Sequence, residues 1–413
     1  MTPRHVLISG AGIAGPTLAW WLVRYGFRCT VVERFAELRT GGQNIDIRGA
    51  AREVLRRMGL DDEVGARGTG EIGTRFVDCD GRAVGEFPQT PGETDGPTAE
   101  REVLRGQFAE LLHERTRDDV DYRFGVQVDR IEQPADGAAR VTLTDGTTLD
   151  CDVVVLAEGI NSRTRGRLAD AFGVHERRLG VSIGYFSVPR VPADAQDGTW
   201  WRWYNATGGR SITLRPDNVG RQRVTLSFRS APVAADLRSM DAQKDVLRRR
   251  FAGAGWQSDR ILAALPDVDD LYLEDLGQVR ADRWSDGRVA LLGDAAWCAS
   301  PVSGMGTSLA LVGAYVLAGE LAAHVHHQDA LARYEERMRP YVTRAQKLPP
   351  GAPGVMHPRT RLGVAALRTA FRVAAAGPLR RFETTLFQPP ADQFVLPDYR
   401  HLRAVETATT EKG

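Results

Sequence analysis

The first thirty-five residues leave few folds open to this chain. A short apolar run, His5 to Ser9, passes into Gly10-Ala11-Gly12-Ile13-Ala14-Gly15. The stretch "PTLAWWLVRYGF" then carries helical period, and "CTVVERF" returns to a strand that closes on Glu33. That is a βαβ unit with three glycines at its first turn. Gly10 permits a tight turn, Gly12 lets a pyrophosphate approach the helix N-terminus, and Gly15 lets helix pack closely on sheet. Glu33 stands where a ribose hydroxyl needs an acceptor. A glycine turn alone is equally compatible with plain structure. The succession strand, turn, helix, strand, acid points instead to a dinucleotide. Arg34, beside the acid, suits either a phosphorylated ribose or an adenine ring, so it leaves FAD and NADP both open.

The rest of the composition narrows the partner. The chain has 413 residues, 42% hydrophobic and 26% charged, enough for a large core and two or three domains. Lys+Arg 54 against Asp+Glu 53 gives a net charge of +1, so no overall field draws nucleic acid or an anionic membrane. The expected partner is a small molecule. Cys29, Cys79, Cys151 and Cys298 lie far apart, which argues against a disulfide framework or a zinc site and fits a reducing cytoplasm. "MTPRHVLISGAG" is too short before its first glycine for a signal peptide. The segment Gly306 to Ala323 approaches membrane-spanning length, but Glu320 and four glycines, counting Gly304, mark it as a buried helix.

Farther along, residues 121 to 159 read as successive strands with turns at Ala135-Asp136-Gly137 and Asp145-Gly146, ending on the fully apolar Val153 to Leu156, which suits a central strand. Between Gly180 and Gln278 the texture changes to long amphipathic strands. The fold class expected is therefore α/β: a Rossmann-type FAD-binding domain with an inserted antiparallel β-sheet substrate domain and a C-terminal helical segment. The boundaries expected are 1–75, 98–178 and 279–345 for the first, 76–97 and 179–278 for the second, and 346–413 for C-terminal helices and a disordered tail.

"LLGDAAWCASPVSGMG" supplies a second turn some 280 residues after the first. A dissociable nicotinamide nucleotide needs one Rossmann unit and nothing more. FAD is longer, so a second strand end must hold its ribityl chain and meet its ring. Asp294 can accept a ribityl hydroxyl, and a helix starting near Gly304 and Gly306 aims its positive end at the ring.

Three motifs in this order, "GAGIAG…VVER", "LAEGINSRTR" and "GDAAWCASPVSGMG", resemble those of the para-hydroxybenzoate hydroxylase-like flavoprotein monooxygenases. Residues 36 to 60 are most similar to the tetracycline-modifying branch and to polyketide-tailoring members. The resemblance implies cofactor contacts from Gly10, Gly12, Ala14, Gly15, Glu33, Arg34, Arg39, Asp46, Arg101, Glu158, Asp294, Pro301, Gly304, Met305 and Gly306. It implies noncovalent FAD, NADPH or NADH as co-substrate, and O2 adding at the flavin C4a to give a hydroperoxide that hydroxylates an aromatic or polyketide-type molecule. A cytoplasmic monomer or homodimer is expected. No residue identifies itself as a general base.

Three positions depart from the family pattern. Glu158-Gly159 stands where Asp-Gly is usual, Trp297 where His is frequent, and Gly313 where an acid is expected. Glu158 keeps open a redox-neutral cyclase of a polyketide pathway with FAD in a structural role; a non-catalytic flavin-binding protein is the other rival reading. Other constellations carry less. His324, His326 and His327 sit at a helix end without an acid or Cys at ligand spacing, so no metal is expected. Ser162 and Ser303 lack a nucleophile elbow. In "TWWRWYN", alternation puts Trp201 and Trp203 on one face, and Trp203 is the expected substrate contact on a flat aromatic wall.

Overall fold

The computed structural model describes residues 4–39, 41–89, 101–135, 137–192, 194, 199–231, 233, 239–376 and 394–402. Two sheets dominate it. The first has the strand order β17 (Ser285–Asp286), β18 (Val289–Leu291), β11 (Val153–Leu156), β1 (His5–Ser9), β2 (Arg28–Glu33), β7 (Asp121–Phe124), and all but β17 run parallel. β1 and β11 are buried at every position, as expected of strands covered on both faces. The helix Ala14–Arg24 follows β1 directly, and Gly15 makes the junction possible: a Cβ there would lie 2.0 Å from the Gly10 carbonyl oxygen.

The second sheet runs β16 (Tyr272–Ala281), β12 (Val174–Pro189), β15 (Arg221–Arg229), β14 (Arg210–Pro216), β13 (Trp200–Ala206), β4 (Gly73–Val77), β5 (Ala83–Pro88). Its neighbours are antiparallel except β4 and β13, which pair in parallel. The sequence places residues 76–97 with this layer. The strand that joins it begins at Gly73, three residues earlier, and residues 90–100 lie outside those described. Two smaller sheets complete the set: β10 (Thr148–Cys151), β9 (Ala139–Leu143), β8 (Val128–Glu132), and the pair β3 (Asn44–Ile47), β6 (Arg101–Leu104).

One face of the seven-stranded sheet packs Ile212, Leu214, Leu226 and Phe228 against the helices Met240–Phe251 and Ser258–Ala264. The other face looks toward the six-stranded layer. The helix Gly306–Ala323 is long and apolar enough to cross a membrane by length and composition, and it lies buried in the core of the first layer. Its single acid, Glu320, is met by Arg337 at 2.6 Å and by the Tyr399 hydroxyl, so the carboxylate is paired inside the fold. The expected disordered tail, residues 408–413, lies outside the described residues.

Two of the departures from the family pattern explain each other here. Trp297 is buried against Trp284 and Tyr334, with ring centroids 4.2 and 5.8 Å away. A Cβ on Gly313 would stand 3.0 Å from Trp297 Cζ2. The indole fills the room that a side chain at 313 would need.

Candidate active site

Between the two sheets lies a cavity of about 1400 Å³. Ordinary small-molecule pockets span about 300–1000 Å³. This one therefore has room for more than one ligand, and its lining divides accordingly.

One end is built for a dinucleotide. Gly10, with φ of +114°, turns the chain at the end of β1, and a Cβ there would meet the Ala157 carbonyl oxygen at 2.5 Å. Gly12 leaves its space open, the nearest side-chain atom being Arg105 Nη2 at 3.6 Å from an added Cβ. Glu33 accepts from the Ala11 N–H at 2.9 Å and the Phe35 N–H at 3.1 Å, which fixes its carboxylate at the mouth of the turn. Ala14, Arg34 and Arg39 also line the cavity, and the Arg39 guanidinium lies 4.9 Å from the Phe35 ring and 5.3 Å from the Tyr272 ring.

The second turn arrives where the longer cofactor needs it. Asp294 is half-buried at the cavity wall. Burial raises its carboxyl above the usual range, opposed by a Cys298 hydrogen bond and by Arg105 and Arg165. Pro301, Gly304 and Gly306 line the same wall; Gly306 opens the long helix, and a Cβ there would stand 3.9 Å from Asp294 Oδ1. Ser300 holds φ of +74°, a strained conformation for a residue with a side chain, at the turn leading into that helix.

Four of the expected contacts sit differently. Arg101 is off the cavity, its guanidinium 3.3 Å from both Asp61 oxygens. Arg105, four residues later at the start of the next helix, takes the inner position: it lies half-buried against Gly12 and Gly42, with desolvation and neighbouring Arg39 lowering its pKa. Met305 is fully buried in the core, and its backbone, not its side chain, caps the helix. Gly15 does not line the cavity and acts through packing. Glu158 borders the cavity, but its carboxylate is turned to its own chain: it accepts from Ser9 Oγ at 2.6 Å, Ser162 Oγ at 2.8 Å, Thr164 N at 3.1 Å and Thr164 Oγ1 at 2.7 Å. The added methylene gives the reach to clasp all of these.

The other end is aromatic. Trp203 lies 5.1 Å from Trp201 and 5.7 Å from Phe76, and Phe76 stacks on Phe371 at 3.6 Å and 14°. Phe371 comes from the helix Arg361–Ala375, one of the expected C-terminal helices, which closes this wall although nothing in the sequence ties it to the site. Behind it, Arg215 is held against the Trp201 ring at 4.3 Å by Glu71 at 2.8 Å, by Glu102, and by Asp46 at 3.8 Å. Asp46 lines the cavity within this cluster. Burial raises the carboxyls of Glu71 and Glu102 despite Arg215, so the cluster retains a proton more readily than isolated acids would.

FAD fits these residues. A glycine cradle that a Cβ would fill, an acid at the end of β2, and a second acid beside a helix N-terminus match its adenosine, pyrophosphate and ribityl parts. Residues 4–348 match the profile of the FAD binding domain family. The chain belongs to this family, the para-hydroxybenzoate hydroxylase-like flavoprotein monooxygenases, and FAD is its cofactor. It is 34% identical to the FAD-dependent monooxygenase asL4 of Sarocladium schorii, over 97% of this chain and 99% of that one. It is 36% identical to the flavin-dependent monooxygenase eupH of a Phoma species, over 97% and 98%. Its fold is similar to the crystal structure of the tetracycline destructase Tet(51), with TM-score 0.77 and 30% identity across 97% of this chain and 100% of that one.

Asp294→Ala should lower FAD affinity by about 1–3 kcal/mol, because ribityl hydroxyls lose an acceptor at the cavity wall. Titration of the apoprotein with FAD measures this. An unchanged affinity would remove Asp294 from the cofactor site.

Proposed function

We propose that the protein hydroxylates a planar, fused-ring phenolic or enolic molecule of the polyketide type, with NADPH or NADH as reductant and O2 as oxidant. One observation carries this: the cofactor cradle and the aromatic wall Trp201, Trp203, Phe76, Phe371 face one continuous cavity. Bound FAD supplies the electron transfer and oxygen activation. The protein positions the substrate and excludes water. Aromatic walls favour flat rings, and the similarity to a tetracycline destructase supports a substrate of several fused rings.

The edge of the slot is polar. Trp201 Nε1 and Thr213 Oγ1 line it, buried and without a hydrogen-bond partner among the described residues. A donor left this way is satisfied by a ligand carrying an acceptor, such as a ring carbonyl or hydroxyl. The redox-neutral reading drew its support from Glu158. That carboxylate is consumed by Ser9, Ser162 and Thr164, so its departure from the family pattern has a structural cause.

The test is oxidation under 18O2 with NADPH or NADH and a panel of fused-ring phenols. The expected product carries one labelled oxygen, and nucleotide oxidation is stimulated by substrate. If both nucleotides leave the flavin oxidised in anaerobic stopped flow, with substrate present, the monooxygenase cycle proposed here is wrong and the cyclase reading replaces it.

Trp203→Ala should weaken substrate binding by about 1–3 kcal/mol while FAD content stays intact. Trp203 donates its indole N–H to Ser211 Oγ at 2.5 Å, which anchors the ring in the wall. Flavin absorbance perturbation on substrate addition reads the affinity. Equal affinities in the two proteins would make Trp203 a packing residue.

A further inference from the structure

A second cavity, about 510 Å³, opens beside the first. Three guanidinium-bearing residues line it: Arg177 from β12, Arg229 at the end of β15, and Arg359 before the last long helix. No carboxylate lines it. Among the described residues, none of the three arginines forms a salt bridge. The nearest acid in sequence, Glu176, is already engaged by Arg165 at 2.8 Å and Arg178 at 3.4 Å.

Arg229 is the fixed point of the group. It is half-buried, and its stem runs past two glycines: a Cβ at Gly209 would stand 3.0 Å from Arg229 Cγ, and one at Gly354 3.6 Å from Arg229 Nη1. Glycine at 354 thus leaves the edge of the guanidinium open, while the backbone on either side confines the stem. Three like charges gathered in one concave site without counter-charge repel one another, and an anion relieves that repulsion. Phosphate oxygens match the guanidinium fork in shape and charge.

One loop lines both cavities. Ala352 and Pro353 line both, and Gly351 and Gly354 flank them on the arginine side. Pro349 and Pro350 continue the same loop along the larger cavity. A ligand held by its phosphates at the arginines would lie across this loop from the cofactor chamber. The reductant proposed above is such a ligand, because it is anionic through its phosphates and must present a flat ring to that chamber. The one strand-turn-helix dinucleotide unit among the described residues is occupied in this reading by FAD, so the nucleotide needs phosphate donors elsewhere.

We propose that Arg177, Arg229 and Arg359 form the phosphate-binding site of the reducing pyridine nucleotide, with the loop 349–354 as the threshold its nicotinamide end crosses. This rests on the reading that NADPH or NADH reduces the protein. Only binding is involved; hydride transfer is left to the established cofactor chemistry.

The test uses FAD-loaded protein and the triple variant Arg177→Gln, Arg229→Gln, Arg359→Gln, with single variants as checks on folding. Two measurements run side by side: binding of inorganic pyrophosphate by calorimetry, and anaerobic flavin reduction across NADPH and NADH concentrations. Pyrophosphate should bind the parent protein and be lost from the triple variant. The nucleotide concentration for half-maximal reduction rate should rise roughly tenfold for Arg229→Gln alone, since a charged hydrogen bond is removed, and further in the triple variant. The limiting rate and the flavin content should stay within about twofold. A larger shift for NADPH than NADH would place the 2′-phosphate there, and equal shifts would place the pyrophosphate; both support the site.

Unchanged pyrophosphate binding and unchanged nucleotide dependence overturn the proposal. Lost pyrophosphate binding with unchanged nucleotide dependence also overturns it, leaving an anion site for a phosphorylated substrate instead. If the parent protein is reduced by neither nucleotide, the monooxygenase reading fails on its own, and the calorimetric arm still decides whether the arginines bind phosphate.

Discussion

Gly15→Ala should melt far below the parent protein as apoprotein, while Gly12→Ala should melt normally and bind FAD poorly. The two glycines lie three residues apart in one motif, yet a methyl group meets different things at each. At Gly15 it would sit 2.0 Å from the Gly10 carbonyl oxygen and 3.2 Å from Ile8 Cγ2, so helix and strand must separate. Forced overpacking costs about 1–3 kcal/mol and sometimes more, and a backbone contact this short belongs at the upper end. At Gly12 the nearest atom is 3.6 Å away on a side chain, an ordinary contact. The methyl there intrudes only on the space a pyrophosphate would use, and FAD affinity should fall about tenfold or more, which is about 1.4 kcal/mol per tenfold. Thermal melts of both apoproteins, followed by FAD titration, separate the two effects. A Gly15→Ala apoprotein as stable as the parent would mean that the helix can slide, and would undo this account of the junction.

Glu158→Ala should cost about 3 kcal/mol of stability or more, since hydrogen bonds to a charged group contribute about 1.5–3 kcal/mol each and four donors lose their acceptor. The clasp joins the end of β1, through Ser9, to the helix Arg163–Arg167, through Ser162 and Thr164. Glu158→Asp should fall between parent and alanine, because the shorter side chain cannot reach Ser9 and Thr164 together. Urea unfolding of the apoproteins measures the stability series, and anaerobic reduction of FAD-loaded Glu158→Gln measures the other possibility. Slow reduction in a protein of parental stability would show that the carboxylate handles the nucleotide and that its internal bonds are incidental.

The parts of this molecule legible from sequence are those whose determinants are close together in the chain. Gly10, Gly12, Gly15 and Glu33 specify a turn, a helix and a strand within about thirty residues, and β1, the first helix and β2 follow them. The apolar stretch Val153 to Leu156 likewise reports its own position between β1 and β18. Alternation in "TWWRWYN" assigns faces correctly because a strand's period is local: Trp201 and Trp203 face the cavity, while Arg202 pairs with Asp194 and Tyr204 bonds to the Ala254 carbonyl on the far side. What sequence could not show are pairings across long separations. β4 joins β13 in parallel, Gly73 opposite Trp200, and nothing within either segment announces the other. The place of Arg105, which the family resemblance did not name alongside Arg101, has the same origin. Both arginines sit at the β6 boundary, and what selects Arg105 is the space left by Gly12 and Gly42 elsewhere in the chain. Phe371 closing the aromatic wall, and the arginines meeting around the 349–354 loop, are products of the final packing alone.

The contact between Trp297 and Gly313 makes these two positions one unit of packing. A variant with a side chain at 313 and the indole kept would have to displace a ring packed against Trp284 and Tyr334. One that lost the indole first would open a void in the wall behind Asp294. Either single change is less stable than the pair, so the two positions should tolerate substitution together far better than one at a time.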